Sequence, residues 1–230
     1  MEIEEIKENF RSPKRENYPE LKCYSRGSIY EGKMGPGGLY LAALMTRKLH
    51  LHENMKILDL GCGQGATSIF LVKKFNVSVF AVDLWIDATK LNSTFIEHQV
   101  ENKVIPLNLD ITQKLPFSEQ YFDAIFCMDS IHYYGNKIGF WYHILPYLKQ
   151  GGKLCIGSPC FNSEFTDEAL KNLPTEYDDG TELWSSEFSK YHSPNWWFEL
   201  LNQTGQIVNI ESEEIEDGII LWEDDVLHSL

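Results

Sequence analysis

From Lys56 onward the chain alternates between two hydrophobic rhythms, and few folds can use both in strict turn. Short apolar runs, suited to strands buried on both faces, precede stretches whose apolar residues recur at helical spacing. Lys56-Ile-Leu-Asp-Leu60 reads as a first strand, and residues 66–75 as a helix with Ile69, Phe70 and Val72 turned inward. Residues 77–82 read as a second strand, with a helix near 87–99 behind it. Residues 104–109 and 122–127 are the third and fourth strands, and a helix near 138–148 follows the fourth. Lys149-Gln-Gly-Gly152 is a turn that launches a fifth strand, 153–157. A helix at about 193–203 and a sixth strand at 206–210 come later. Residues 218–222 fit either a short seventh strand or the start of a last helix. Such alternation implies a doubly wound, mostly parallel Rossmann-like sheet of the seven-stranded type, with helices on both faces. Ligands of such sheets bind beyond the carboxyl ends of the strands, so the residues just after each strand are the ones to search.

Two segments stand outside this rhythm. Residues 1–50 begin highly charged, become turn-rich around Gly35-Pro36-Gly37-Gly38, and then form a helix from about 39 to 50 through Leu41, Leu44, Met45 and Leu49. They are expected to be an N-terminal helical cap on a domain spanning 51–230. Residues 160–192 form a lid-like insert after strand five, with Phe161, Phe165, Tyr177, Trp184, Phe188, Tyr191 and His192 among its acids and turns. A loop of that length is functional or disordered, and its aromatics favour a wall for a substrate. Trp197 and Phe198 fall on the following helix, whose apolar side should pack on the sheet.

The most informative of the strand ends is the first, Asp59-Leu-Gly-Cys-Gly-Gln-Gly-Ala66. Glycines there let the backbone turn sharply and approach a ligand closely. Gly61-x-Gly63-x-x-Ala66 alone fits a dinucleotide fingerprint, and Asp83 lies about 20 residues on, the spacing of a ribose-binding acid. Asp59 breaks the tie. A carboxylate two residues before the first glycine would repel the phosphates of a dinucleotide. It would welcome S-adenosylmethionine, which carries an ammonium and a sulfonium and has no phosphate at that point. Asp110, after the third strand, adds another acid where an adenine amine could donate; an Asp before Ile-Thr also caps a short turn.

Charge narrows the partners. The 34 acidic residues outnumber 20 basic ones, leaving a formal charge of −14. Phosphate backbones and anionic membranes are bound through Lys and Arg, so neither nucleic acid nor stable membrane association is expected. Five cysteines without a C-x-x-C pair suit a reduced, cytoplasmic setting and give no metal site. Met1 to Glu20 has the charge pattern of a surface rather than of a secretory signal.

Taken together, Ile57-Leu-Asp-Leu-Gly-Cys-Gly-Gln-Gly65, Asp83, Asp110 with Leu115-Pro-Phe117, Phe122-Asp-Ala-Ile125 and Leu148-Lys-Gln-Gly-Gly152 resemble the successive motifs of class I S-adenosylmethionine-dependent methyltransferases. The flanks, Met34-Gly-Pro-Gly-Gly38, Met128-Asp-Ser-Ile-His-Tyr-Tyr-Gly135 and His192-Ser-Pro-Asn-Trp-Trp197, resemble small-molecule enzymes distantly similar to cyclopropane-fatty-acid synthases and ubiquinone/menaquinone methyltransferases. The resemblance implies that Gly61 and Gly63 pass under the methionine part of the cofactor, with Asp59 reaching its ammonium directly or through water. It implies Asp83 on the ribose hydroxyls, Leu84 and Ile111 flanking the adenine, Asp110 on its amine, and backbone near Met128 closing the methionine pocket. Family members usually carry a clear seventh strand beyond a segment like Leu221-Trp222, which this sequence has only in the short 218–222 piece.

Methyl transfer needs alignment, exclusion of water and, for some acceptors, removal of a proton, so a catalytic signature is not obligatory. The loop after the fourth strand holds the candidates. His132 is a general base or a packed imidazole, Asp129 orients an acceptor or caps a turn, and Tyr133 is an acid–base group or pocket wall. The expected reaction is methylation of a small-molecule acceptor at oxygen, nitrogen or sulfur, with S-adenosylhomocysteine as product. The alternatives are a lipid-modifying cyclopropane-synthase-like enzyme and a catalytically silent cofactor-binding subunit with the insert as a protein interface. Oligomeric state is left open, a homodimer included.

Overall fold

A computed structural model describes residues 11–30, 34–35, 37–166, 168–169 and 190–227. Within them lies a five-stranded, wholly parallel sheet in the order β3-β2-β1-β4-β5. The strands are β1 (Lys56–Leu60), β2 (Ser78–Asp83), β3 (Val104–Asn108), β4 (Phe122–Met128) and β5 (Leu148–Gly157). The helices are α1 (Arg26–Tyr30), α2 (Gly38–Arg47), α3 (Ala66–Phe75), α4 (Ala88–Glu97), α5 (Ile138–Ile144), α6 (Pro194–Asn202) and α7 (Gly218–Leu227). The strand order reverses between β1 and β4, and that switch point opens the crevice where such sheets hold ligands.

The two-residue strand period sorts the core onto two faces. Ile57, Val79, Ala81, Ala124 and Phe126 pack with α2, α3 and α4. Leu58, Leu60, Val82, Ile125 and Cys127 pack on the other side with Trp141 and Ile144 of α5 and Trp197, Leu200 and Leu201 of α6. The N-terminal segment joins the first face through Tyr18, Leu21, Ile29, Tyr40 and Ala42.

The structure departs from the sequence reading at the far end of the sheet. Among the described residues no sixth or seventh strand adds to β5. Residues 206–210 are irregular: Ile207 and Ile210 pack against the second core face, but Val208 is 94 % exposed. Glu211, Glu213 and Glu214 follow at once, and Lys48 ties Glu211 (2.9 Å) and Glu213 (2.7 Å) to the C-terminal end of α2 instead of to a strand. Gly218 onward resolves as helix, started by the Gly218 and Leu221 amides donating to Ile215 and Asp217 carbonyls. The Lys149–Gly152 turn lies within an irregular stretch of β5, where the register to β4 shifts and Gly151 takes φ +76°.

The terminal helix is tied back to the N-terminal segment. Arg11 forms an ion pair with Glu223 at 2.8 Å, Asn17 donates to Asp217 at 3.1 Å, and the Tyr30 hydroxyl donates to the buried Asp224 carboxylate. The effect is to bring both chain-terminal segments over the carboxyl end of β1. The insert aromatics Tyr177, Trp184 and Phe188 lie outside the described residues. No described helix is long and apolar enough to cross a membrane.

Candidate active site

Strand β1 and helix α3 meet in a turn that glycine makes possible. Gly61 sits at φ +65°, and a side chain there would meet Ser130 at 2.5 Å. Gly65, at φ +89°, has the Phe95 ring 2.4 Å from where a Cβ would stand. Both positions combine a left-handed backbone with no room for a side chain. The Gly61 and Cys62 amides donate to the Val82 carbonyl at 2.9 and 3.0 Å, which locks the turn to the end of β2.

Asp83, the last residue of β2, organises the next shelf. One carboxylate oxygen accepts from the Gly63 amide at 2.9 Å, and the other from the Trp85 and Ile86 amides at 2.8 and 3.0 Å. A carboxylate has about four acceptor sites, so capacity for a ligand hydroxyl remains. Beyond it Leu84 and Trp85 stand 56 % and 64 % exposed, an unusual position for large apolar groups unless something covers them. Asn108, at the end of β3, holds this loop by donating to the Asp83, Leu84 and Ile86 carbonyls at 3.0, 2.9 and 3.3 Å. Parallel pairing of Asp83 with Asn108 brings Asp110 and the buried Ile111 to the same edge. Asp110 uses one oxygen, Oδ1, to accept from the Thr112 amide (2.9 Å) and hydroxyl (2.6 Å), and these bonds hold its pKa below the usual carboxylate value.

Asp59 lies under the turn rather than on its surface. It is 1 % exposed and accepts from the Ser68 hydroxyl of α3 at 2.6 Å. Burial, reinforced by the charge of Asp83, pushes its pKa up to about 7 against the pull of the Ser68 bond. On the opposite side of β1, Ser130 and Tyr134 form a second buried knot. The Ser130 hydroxyl donates to the Leu60 carbonyl at 2.8 Å and lies 2.7 Å from the Tyr134 hydroxyl, with the Cys127 thiol 3.0 Å from the latter. Tyr134 is thus committed to holding the loop after β4 against the glycine turn.

An open cavity of about 590 Å³ lies above the turn. Its floor is Gly61, Cys62, Gly63, Gln64, Ala66 and Thr67; its walls are Met128 at the end of β4 and Asp129 after it, Ile29 and Tyr30 of α1, Met34, Gly35 and residues 37–40, and Asp225 of α7. Asp129 holds a left-handed backbone (φ +56°), and its amide donates to the Gly157 carbonyl at 2.6 Å. Its carboxylate lies against Gly35, where a Cβ would collide with it. Burial, and next the charge of Asp225, push the Asp129 pKa up to about 8.

The remaining candidates occupy a rim beside this cavity. Tyr133 is 42 % exposed, its ring 5.1 Å from that of Trp85 and edge-on to it, with the Lys190 ammonium 5.4 Å above it. His132 is buried between the rings of Tyr133 (4.1 Å) and Tyr191 (4.7 Å). The rim thereby joins the loops after β2 and β4 to the end of the insert. Glu164 draws together the neck of that insert by accepting from the Ser193 amide and lying 2.9 Å from His192 Nδ1.

Sequence reasoning passed over Ser68, Asn108, Ser130 and Asp225. Thr67 and Ser68 left a trace, as polar residues on an otherwise apolar, inward-facing stretch of α3. Asn108 and Asp225 left none, because their partners are distant in the chain.

The methyltransferase-domain family matches residues 51–214. Phosphoethanolamine N-methyltransferase 3 of Arabidopsis thaliana is 28 % identical over 131 residues, covering 56 % of this chain and 26 % of the plant protein. The phosphoethanolamine N-methyltransferase of Plasmodium falciparum is 25 % identical over 163 residues, 70 % of this chain and 54 % of that one. The chain thus spans about a quarter of its plant relatives and about half of the parasite protein. Among solved structures, the MccD protein superposes with a TM-score of 0.60 at 16 % identity, over 74 % of this chain and 72 % of its own. A geranyl diphosphate C-methyltransferase of Streptomyces coelicolor, solved with S-adenosyl-L-homocysteine, gives 0.57 at 18 % identity over 72 % and 58 %. The [4+2]-cyclase SpnF gives 0.56 at 18 % identity over 72 % and 56 %.

Proposed function

The chain belongs to the class I S-adenosylmethionine-dependent methyltransferases, and on that premise we propose that it transfers the methyl group of S-adenosylmethionine to a small-molecule acceptor at oxygen, nitrogen or sulfur. One observation carries the reading: the carboxylate ending β2 is bonded to the amide of the glycine turn ending β1. That bond builds a single shelf from two strand ends, with ribose-binding capacity beside a floor of backbone.

Gly61 and Gly63 carry the methionine part, Asp83 the ribose hydroxyls, and Leu84 with Ile111 the faces of the adenine. Asp110 is left with one oxygen outside its turn, suited to the adenine amine. Asp59, beneath the floor and bonded to Ser68, acts on the cationic cofactor as a buried charge or through water. Met128 closes the methionine side, and Asp129 faces the cavity beside it.

The bound cofactor supplies a methyl already activated by a positive sulfur. The protein's share is to hold the acceptor in line with it, exclude water and receive the acceptor's proton. Tyr133 and Trp85 offer apolar walls for the acceptor. His132, enclosed by Tyr133 and Tyr191, is the nearest imidazole for the proton. The plant and parasite relatives are named for phosphoethanolamine; only a small-molecule acceptor is carried over from them.

Calorimetry with S-adenosylhomocysteine tests the cofactor half. We expect binding that Asp83→Ala weakens by about 100-fold or more, since it removes a ribose partner and leaves three backbone amides without their acceptor. Affinity unchanged in the variant would overturn the assignment. Incubation with labelled methyl donor and a metabolite extract tests the chemistry. A second reading, cofactor binding without methyl transfer, draws on the likeness to a [4+2]-cyclase on this fold, and total failure to label any extract would favour it.

A further inference from the structure

Residues 84–86, the loop between β2 and α4, are held by a side chain of the neighbouring strand, Asn108 at the end of β3. We infer that Asn108 is a positioning residue for the nucleoside half of the cofactor: its carboxamide fixes the backbone of residues 83–86 and, through it, the Asp83 carboxylate. The inference rests on the S-adenosylmethionine reading and adds to that site a residue that acts through Asp83.

Two side chains divide the bonding of this loop between them. From one side Asp83 Oδ1 accepts from the Trp85 and Ile86 amides. From the other, Asn108 Nδ2 donates to the Asp83, Leu84 and Ile86 carbonyls. Among the described residues no backbone amide donates to the Leu84 or Ile86 carbonyl, so the carbonyl side of the loop rests on Asn108. Three acceptors around one end of a carboxamide call for nitrogen there, and its two N–H groups serve them with the longest contact shared. A carboxylate in its place would set oxygen against three carbonyls.

Neither the sheet nor the next helix needs this side chain. β2 and β3 are paired through their backbones up to Asp83 and Asn108, and the Leu109 amide donates to the Asp83 carbonyl at 3.1 Å. Asp87 starts α4 by accepting from the Thr89 and Lys90 amides at 2.8 and 3.3 Å. Both ends of the loop are thus anchored without the Asn108 carboxamide. Asn108 is itself exposed, so its replacement opens no cavity in the core.

The clamp acts on how the loop displays its groups. Leu84 and Trp85 are turned to solvent while the Leu84 and Ile86 carbonyls are turned to Asn108. A loop left to itself would do the reverse, giving its carbonyls to water and its apolar side chains to the protein. Released from Asn108, the Trp85 and Ile86 amides would leave Asp83, which would keep only its bond from the Gly63 amide. One bond does not fix the rotation of a carboxylate, and a ribose with two hydroxyls needs that rotation fixed.

The test compares S-adenosylhomocysteine with its 2′,3′-dideoxy analogue, which lacks both ribose hydroxyls, by calorimetry on the full chain. Asn108→Ala should weaken S-adenosylhomocysteine by about 10-fold, the value of one to two hydrogen bonds. It should change affinity for the dideoxy analogue by less than about twofold, and should cost S-adenosylhomocysteine less than about twofold when Asp83→Ala is already present. Asn108→Asp, which keeps the shape and removes both donors, should weaken S-adenosylhomocysteine at least as much as Asn108→Ala does. Hydrogen exchange on the unliganded protein reads the clamp without any ligand. In Asn108→Ala the Trp85 and Ile86 amides should exchange about 10-fold faster, and the amides of β1 and β2 should not change. Equal losses for the two ligands would make Asn108 merely structural and overturn the inference. Unchanged affinity in Asn108→Asp or unchanged exchange at Trp85 and Ile86 would overturn it as well. Failure of the unaltered protein to bind S-adenosylhomocysteine would overturn the cofactor reading itself, and the inference with it.

Discussion

Asp59 carries two opposing demands in one side chain. The proposed function sets it toward a cationic ligand at the end of β1, yet it is buried with Ser68 as its hydrogen-bond donor. Its pKa in the fold, about 7, stands above the ordinary value of 3.8, so the folded protein keeps a proton that the unfolded chain gives up. The Asp59 contribution to the stability of the unliganded protein should therefore decline as pH rises from about 4 to about 7 and then level off, while Asp129 adds a decline of the same sign that runs on to about 8. Asp59→Asn keeps an acceptor for Ser68 and removes the ionisable group. At pH 8 it should be more resistant to urea by about 1–3 kcal/mol and bind S-adenosylhomocysteine more weakly. Equilibrium denaturation across that pH range checks the slope; a variant that declines as steeply as the parent would refute the assignment. At this scale the sequence singled out acids at strand ends but not how each is bonded or buried. Asp59 reads in the sequence as an ammonium partner, directly or through water, and burial at a strand position is what removes it from the surface. Asp110 reads as either adenine contact or turn cap, and in the structure one of its oxygens is given to the turn.

Among the elements, α7 is the one the sequence leaves open between strand and helix. Its apolar run Ile219-Ile-Leu-Trp222 suits either structure, and nothing local decides between them. The helix is chosen by contacts far along the chain. Leu221 meets the start of α2, Glu223 meets Arg11, and the fully buried Asp224 meets the Tyr30 hydroxyl. The pair Tyr30–Asp224 is the one of these polar ties that ends on a fully buried carboxylate. Tyr30→Phe withdraws a donor from a buried carboxylate and should cost about 1–3 kcal/mol of stability. Amide exchange in residues 218–225 should quicken with it, and exchange in β1 and β4 should not. Uniform quickening across the sheet would mean that α7 is no separate unit. Strands β1 to β4, by contrast, were legible to within a residue or two, whereas β5 begins at Leu148, ahead of the 153–157 expected. An apolar run bounded by turn residues and followed by a helical period leaves few other arrangements.

For the molecule as a whole, the carboxyl edge of the sheet gathers Asp59, Gly61, Asp83, Asp110 and Met128 from four strands. A cofactor seated there as proposed would contact β1, β2, β3 and β4 at once, so it should stabilise the entire fold. At a concentration of S-adenosylhomocysteine about 100 times its Kd, the melting temperature should rise by about 5–10 °C as one cooperative transition. A melt unaffected by saturating ligand would contradict the shared shelf. The net charge of −14 keeps its meaning as a general property of the surface, while three acids at strand ends are proposed for separate work. By itself the sequence determined the first five strands, the two helical layers over them and the glycine turn after β1, because strand and helix periods and a glycine turn are local signals that survive without neighbours. Only the tertiary structure decided that Asp59 is sunk beneath the turn, that Ser130 and Tyr134 brace it, and that the final segment is a helix carrying Asp225 to the cavity. Those outcomes depend on burial and on partners up to 212 residues apart, and no local pattern encodes a contact with a distant segment.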